Sequence, residues 1–284
     1  MAQGSPPATA SSTSENSGEA LPLVGVDTGG TFTDLVAWER GRLKSGKVLS
    51  TPDDPSRAII EGLRRLELHD RPVIVIHGTT VGTNAVLEGK GARVAYVTSE
   101  GFSDILTLAR QNRSEVYALE QPAESPPVPR ELCLELSTRS DARGVLLARA
   151  DDAELDGLAE RLDALDVEAV AVNLLFAFLC GDEERRIRQA IGSNRFVSLA
   201  SVVLPEIREY ERGIATWLNA SVGPVIERYL DRLAAGLPDA NISVMQSSGT
   251  TVASELAASG AVRLLLSGPA GGIAAARLIG EVTG

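Results

Sequence analysis

Two carboxylates bracket a glycine turn near the start of the chain, in the octet Asp27-Thr28-Gly29-Gly30-Thr31-Phe32-Thr33-Asp34. Gly29 and Gly30 accept positive φ and carry no side chain, so successive backbone N–H groups can converge there on an anion. Thr28, Thr31 and Thr33 add hydroxyl donors around that point. Asp27 and Asp34 would repel a bare phosphate, and their presence makes sense if a divalent cation lies between them and the phosphate oxygens. Mg-nucleotide therefore fits the turn better than phosphate alone. The competing reading is an ordinary hairpin whose Thr and Asp side chains bond their own backbone; the complete octet favours the phosphate reading.

The elements that must position this turn are legible on either side. Val24 to Val26 is a short β-branched run, Leu35 to Trp38 is the returning strand, and Lys44 to Ser50 offers a third. Asp54 followed by Pro55 predicts a capped helix carrying Ile59, Ile60, Leu63 and Leu66 on one face. Val73 to Ile76 is an apolar strand delivering His77-Gly-Thr-Thr80, and a helix is expected over Val81 to Leu87. Val94 to Val97 is the next strand. A three-strand meander followed by alternating helices and strands is the order of an RNase H-like nucleotide-binding lobe with a mixed sheet, of class α/β, here followed by a second α/β segment.

Further along, Gln121 to Arg130 carries Pro122, Pro126, Pro127 and Pro129 and is expected to be an extended loop. Asp151 and Glu154 open a helix bearing Leu155, Leu158, Leu162 and Leu165. Val167 to Leu175 reads as a strand, Asp182 to Ile191 as a charged helix, and Val197 to Val203 as another strand. A long amphipathic helix is expected from about Pro205, bent or restarted at Gly223-Pro224. Its charged residues Glu206, Arg208, Glu209, Glu211 and Arg212 read as a solvated face, and Tyr210 and Trp217 as core. Ile242 to Met245 and Val262 to Leu266 read as strands, and Ser267-Gly-Pro-Ala-Gly-Gly272 as a turn opening a last helix, able to present N–H groups to an anion. The organisation expected is a disordered tail over residues 1–20, one domain over 21–203, and the start of another over 204–284.

Composition narrows the class. The net charge of −11 argues against a broad nucleic-acid face or attraction to anionic lipid. Cys133 and Cys180, with no metal-ligand spacing, point to a reducing, cytoplasmic setting. The apolar run Ala169 to Cys180 is too short to span a bilayer, and Met1 to Ala20 lacks the basic start and apolar centre of a signal peptide.

The octet resembles the first phosphate motif of the actin, Hsp70 and sugar-kinase superfamily. Within it the chain is similar to the hydantoinase/oxoprolinase A family from Leu23 onward. The resemblance rests on Thr51-Pro-Asp-Asp-Pro55, His77-Gly-Thr-Thr-Val-Gly-Thr-Asn84, Gly101-Phe102, Arg110-Gln-Asn-Arg113, Leu204-Pro-Glu-Ile-Arg-Glu-Tyr-Glu-Arg212, Met245-Gln-Ser247 and Leu266-Ser-Gly-Pro-Ala-Gly-Gly272. It implies an ATP- and Mg-dependent hydrolase that opens a cyclic amide such as a hydantoin or 5-oxoproline. Asp27 would then be the metal-holding catalytic carboxylate, with Thr28, Gly29, Gly30, Thr31, Thr33 and Asp34 around the phosphate. Gly268, Gly271 and Gly272 would wall the pocket. His77 is a second catalytic candidate, against a packing or capping role of even weight; Thr79, Thr80, Asn84, Arg110 and Asn112 are candidates for substrate contact.

Two segments depart from the family pattern: Phe176-Ala177-Phe178 replaces a His-Ser-Tyr-like stretch, and Gln246-Ser-Ser-Gly-Thr250 replaces Gln-Ser-Asn-Gly-Gly. The second phosphate hairpin that family members carry is absent from the sequence, so the second ATPase lobe is incomplete. The chain is expected to act with its missing C-terminal half or with a hydantoinase B-type subunit. Alternatives from other classes are a small-molecule kinase, an ATP-dependent carboxylase subunit of the same superfamily, and a non-catalytic nucleotide-binding or interaction subunit.

Overall fold

The computed structural model describes residues 20–113, 115–120 and 125–283. The tail expected to be disordered thus lies outside the described residues apart from Ala20, as do residues 121–124 of the proline-rich loop.

The chain opens with the meander β1 (Leu23–Thr28), β2 (Phe32–Glu39) and β3 (Arg42–Leu49), all antiparallel. Asp54 caps α1 (Pro55–Arg65) by accepting from the Ser56 N–H, with Pro55 in the first turn. There follow β4 (Val73–Gly78) and α2 (Val81–Leu87). Next come β5 (Val94–Ser99), α3 (Ile105–Leu108), β6 (Cys133–Leu136), the small hairpin β7 (Arg139–Ser140) and β8 (Leu146–Ala148), and α4 (Asp152–Ala164). After β9 (Ala169–Asn173), α5 (Asp182–Ile191), β10 (Phe196–Leu199) and α6 (Ala200–Val203), the long α7 runs over Glu209–Gly236. The chain then forms β11 (Ala240–Met245), β12 (Thr251–Ala253), α8 (Ser254–Ala257) and α9 (Ser267–Thr283).

Two sheets organise these elements. The first is mixed, in the order β12-β11-β4-β1-β2-β3, with β1, β4 and β11 parallel. The second is all parallel, in the order β10-β9-β5-β6. The strand Val94–Ser99 therefore leaves the first sheet, and β11 returns to it after the second sheet is complete. Side-chain patterning explains the partition. Every residue of β5 and of β9 is buried, as a sheet covered by helices on both faces requires. β1 alternates, with Val24, Val26 and Thr28 buried and Leu23, Gly25 and Asp27 exposed, as on a sheet with one open face.

Each sheet has its own apolar core, and α7 threads both. Tyr210, Ile214, Trp217 and Ala220 pack on the second core, whereas Val222, Ile226, Tyr229, Leu230 and Leu233 pack on the first. The helix begins at Glu209 rather than near Pro205 and runs through Gly223-Pro224 as one element instead of restarting there. Gly223 is needed at that point because a Cβ would lie 2.3 Å from the Phe196 ring.

Three other sequence expectations are corrected. Arg212 is not on a solvated face but fully buried, donating to Asn173 Oδ1 at 2.9 Å and to the carbonyls of Glu206 and Leu174 at 2.5 and 3.2 Å. The strand expected over Val197 to Val203 stops at Leu199; the Ser201 N–H is taken by buried Glu184 at 2.8 Å, and the chain turns helical. Val262 to Leu266 belongs to a 3-10 segment and the turn after it, because Asn219 of α7 accepts the Val262 N–H and donates to Ser259 O. There, tertiary hydrogen bonds override the β propensity of the apolar run.

Candidate functional site

The hairpin stands at the end of β1 and β2. Gly29 N–H closes the turn on Phe32 O at 2.9 Å, and Ser50 Oγ donates to Gly29 O at 2.7 Å while bonding Thr33 Oγ1 at 3.0 Å. Neither Gly29 nor Gly30 takes the positive φ that the sequence suggests. Their use is steric: a Cβ on Gly29 would sit 3.2 Å from Phe32 O, and Gly30 faces open space. With the Gly29 amide engaged, the amides of Gly30 and Thr31 are the ones without a partner among the described residues.

The three threonines divide in role. Thr33 is buried against Ser50, and Thr28 is buried with its hydroxyl on Gly78 O at 3.3 Å. Only the Thr31 side chain is exposed at the tip. Asp27 and Asp34 are directly opposed in the β1–β2 register, on the open face of the sheet. Asp34 pairs with Lys47 at 3.0 Å; Asp27 makes no ion pair among the described residues. Like charges facing each other across a ladder are destabilising.

The β4–α2 turn meets the hairpin from the side. Thr80 Oγ1 donates to Thr28 O at 3.1 Å, and Asn84 Nδ2 lies 3.5 Å from Thr80 Oγ1. Buried Thr79 accepts the Val81 N–H, and its carbonyl receives Ser267 Oγ at 3.3 Å, which ties the start of α9 to this turn. The segment Ser267 to Gly272 is thus the opening of α9 itself rather than a turn ahead of it. A Cβ on Gly271 would lie 3.1 Å from Met245 Sδ, whereas Gly268 and Gly272 face open space.

His77 lies beneath this surface, with no solvent exposure. Its Nε2 shares a 2.5 Å hydrogen bond with the Tyr229 hydroxyl of α7. Burial holds the imidazole down at about 4, against a smaller opposite pull from the Val26 backbone, so the ring is neutral. Arg110 and Asn112 are not brought to the hairpin. Arg110 forms a two-point pair with Glu211 at the start of α7, through Nε at 2.7 Å and Nη2 at 2.5 Å. That is about 27 Å along the helix from Tyr229 at 1.5 Å per residue.

A cavity of about 470 Å³ opens beside the turn, lined by Gly29, Gly30, Thr51, Thr80, Asn84 and Arg232 among others. Its volume is in the range of small-molecule sites. Ser50, Tyr229 and Arg232 of this cavity lie outside the sequence motifs. Ser50 directly precedes the Thr51-Pro-Asp-Asp-Pro55 segment and was within reach. Tyr229 and Arg232, delivered by a helix far along the chain, carried no local signal.

The architecture is that of an actin-like ATPase-type fold. It aligns with the nucleotide-free structure of acetone carboxylase at a TM-score of 0.79 and 24% identity, covering 92% of this chain and 41% of that one. Two family profiles match: the hydantoinase/oxoprolinase N-terminal region over residues 23–194 and hydantoinase/oxoprolinase over residues 212–284. The chain belongs to the hydantoinase/oxoprolinase family. It is 30% identical to caprolactamase subunit alpha of Pseudomonas jessenii over 87% of this chain and 38% of the relative. It is 29% identical to 5-oxoprolinase of Saccharomyces cerevisiae over 88% of this chain and 23% of the relative. The chain therefore spans roughly a quarter to two fifths of these relatives' length.

Proposed function

We propose that the chain is the phosphate-binding part of an ATP-dependent, cytoplasmic hydrolase that opens a cyclic amide. The observation that carries this reading is the opposed pair Asp27 and Asp34 on an open sheet face, beside the amides of Gly30 and Thr31, which have no partner among the described residues. Such a pair costs stability and is intelligible as a cation-dependent phosphate site. The relatives named caprolactamase and 5-oxoprolinase support the amide substrate class.

An amide carbonyl is a poor electrophile, and ATP supplies phosphorylation of its oxygen, which opens the carbon to water. The chain's own residues hold and orient. Gly30 and Thr31 would take phosphate oxygens through their amides, with the Thr31 hydroxyl beside them. Asp27, without an ion pair among the described residues, would hold Mg, and Asp34 would divide its charge between Lys47 and the metal's surroundings. Thr80 and Asn84 would face the substrate, while Thr28, Thr33 and Thr79 fix the backbone from behind. The opening of α9, with Gly268, Gly271 and Gly272, would form the adjoining wall. His77, neutral and buried, acts as a positioning residue through Tyr229. Arg110 and Asn112, at the far end of α7, have no part in this cleft.

A second reading, an ATP-dependent carboxylase subunit, is supported by the likeness in fold to acetone carboxylase. In either reading the chain works with further polypeptide, a hydantoinase B-type subunit or the region that its relatives carry beyond the aligned part. Calorimetric titration with Mg-ATP tests the site. Saturable binding by wild type that Asp27→Ala abolishes is the expected result; binding indifferent to the substitution would overturn the assignment.

A further inference from the structure

A second cavity lies away from the hairpin: a groove of about 1030 Å³ running along β10. β10 is an edge strand of the second sheet, paired on one side to β9. The Phe196 N–H bonds to Glu168 O at 3.2 Å, which fixes the parity of the ladder. In a parallel pair the bonded residues alternate, so Phe196 and Ser198 face β9 whereas Val197 turns its N–H and C=O outward into the groove. Among the described residues nothing pairs with that outward edge.

The groove walls differ in charge. The Phe196 ring packs on Gly223 and Ser198 Oγ accepts from Asn219, so these two side chains face α7 and those of Val197 and Leu199 face α5. The α5 wall brings Arg185 and Arg188 to the groove, and Arg188 has no ion-pair partner among the described residues. The opposite wall brings Glu227 and Glu255 beside the apolar surfaces of Pro224 and Ala258, and its one cation, Arg228, is held in an ion pair by Glu168 at 3.0 Å. A strand laid along this edge would send alternate side chains to a basic wall and to an acidic, partly apolar one.

We propose that β10 and this groove dock an extended segment of a partner polypeptide by strand addition. The segment carries acidic residues on one face and apolar or basic residues on the other. Main-chain bonds to the edge at Val197 give affinity, and the two walls give specificity and register. The inference is independent of the phosphate site.

The experiment uses the full chain and a fluorescein-labelled peptide of repeating Glu-Val-Glu-Lys, with a composition-matched scrambled peptide as control. Val197→Pro removes the outward N–H at an edge position of the kind where proline is tolerated. The expected result is saturable anisotropy change with the repeating peptide and not the scrambled one, weakened about tenfold by Val197→Pro, the worth of one such bond. Because that variant can also disturb the fold, Arg188→Glu supplies a second reading. It should weaken the same peptide and recover binding when the Glu positions are changed to Lys, which leaves the Val and Lys face toward Glu227 and Glu255 unchanged. No saturable binding to wild type, or binding indifferent to both substitutions, overturns the proposal. So does a wild-type dimer that Val197→Pro converts to monomer, which would make a second copy of the chain the occupant.

Discussion

The two sheets treat polar groups in opposite ways. The first places Asp27 and Asp34 opposite each other on an open face, with Lys47 paired to Asp34. The second encloses Arg212, Glu184 and Asn173 completely and gives each of them hydrogen-bond partners. An unpaired group deep inside a fold is expensive, so an enclosed network must be satisfied by the protein itself. An exposed carboxylate pair carries no such requirement and can wait for a ligand. The contrast separates polar residues that hold the fold from those available for chemistry.

Breaking the enclosed side should have the largest effect. Arg212→Ala removes the donor to Asn173 Oδ1 and to the Leu174 and Glu206 carbonyls. It also leaves Glu184, whose carboxyl burial already pushes upward, without the positive charge that opposes that shift. The expected loss is about 3–5 kcal/mol, read as a fall in the denaturant midpoint at unchanged slope. Arg212→Met, which keeps volume, should recover part of that loss but not the hydrogen bonds.

The His77–Tyr229 contact tests the boundary between the two kinds of site by pH. His77 titrates at about 4 in the folded chain against an ordinary 6.5. Between those values the unfolded chain takes up a proton that the folded chain refuses, so this histidine's contribution is full above pH 6.5 and is lost as pH falls toward 4. The amount at stake is about 3 kcal/mol. Thermal melts across that window should show a shallower slope for His77→Gln than for wild type. Glu184, shifted the other way by burial, affects both proteins alike and cancels in the difference.

Ser50→Ala probes how firmly the hairpin is held. It deletes the bond to Gly29 O and the contact with Thr33. A cost of about 1 kcal/mol is expected, together with faster amide exchange at Gly29, whose bond to Phe32 O closes the turn.

Local chemistry in the sequence located most of the first sheet and its turn. Alternating burial, a helix cap at Asp54 and a glycine octet are all short-range signals. What escaped was set at long range. Arg212 lies among charged neighbours that are solvated, and only the arrival of β9 beside α7 encloses it. The Asn219 bonds that hold Val262 in a 3-10 segment, where a strand over Val262 to Leu266 is expected, cross 40 residues or more of sequence. The Tyr229 hydroxyl reaches His77 across 152 positions. The split into two sheets was legible in principle, since β5 opens with four apolar residues in a row and β9 has four before Asn173, whereas the buried positions of β1 alternate.

The smallest stability change should come from the residue proposed to matter most for binding. Asp27→Asn removes one of two facing negative charges and, among the described residues, no ion pair, and Asp34 keeps Lys47 as its partner. Stability should therefore stay level or rise by a few tenths of a kcal/mol, most visibly at low salt, where exposed charges are least screened. Equal melts for wild type and Asp27→Asn, paired with loss of Mg-ATP binding in the variant, would mean that the carboxylate is kept at a cost to the fold for the sake of a ligand. A clear destabilisation would mean instead that Asp27 braces the hairpin, and the division between the open and the enclosed sheet would then lose its main support.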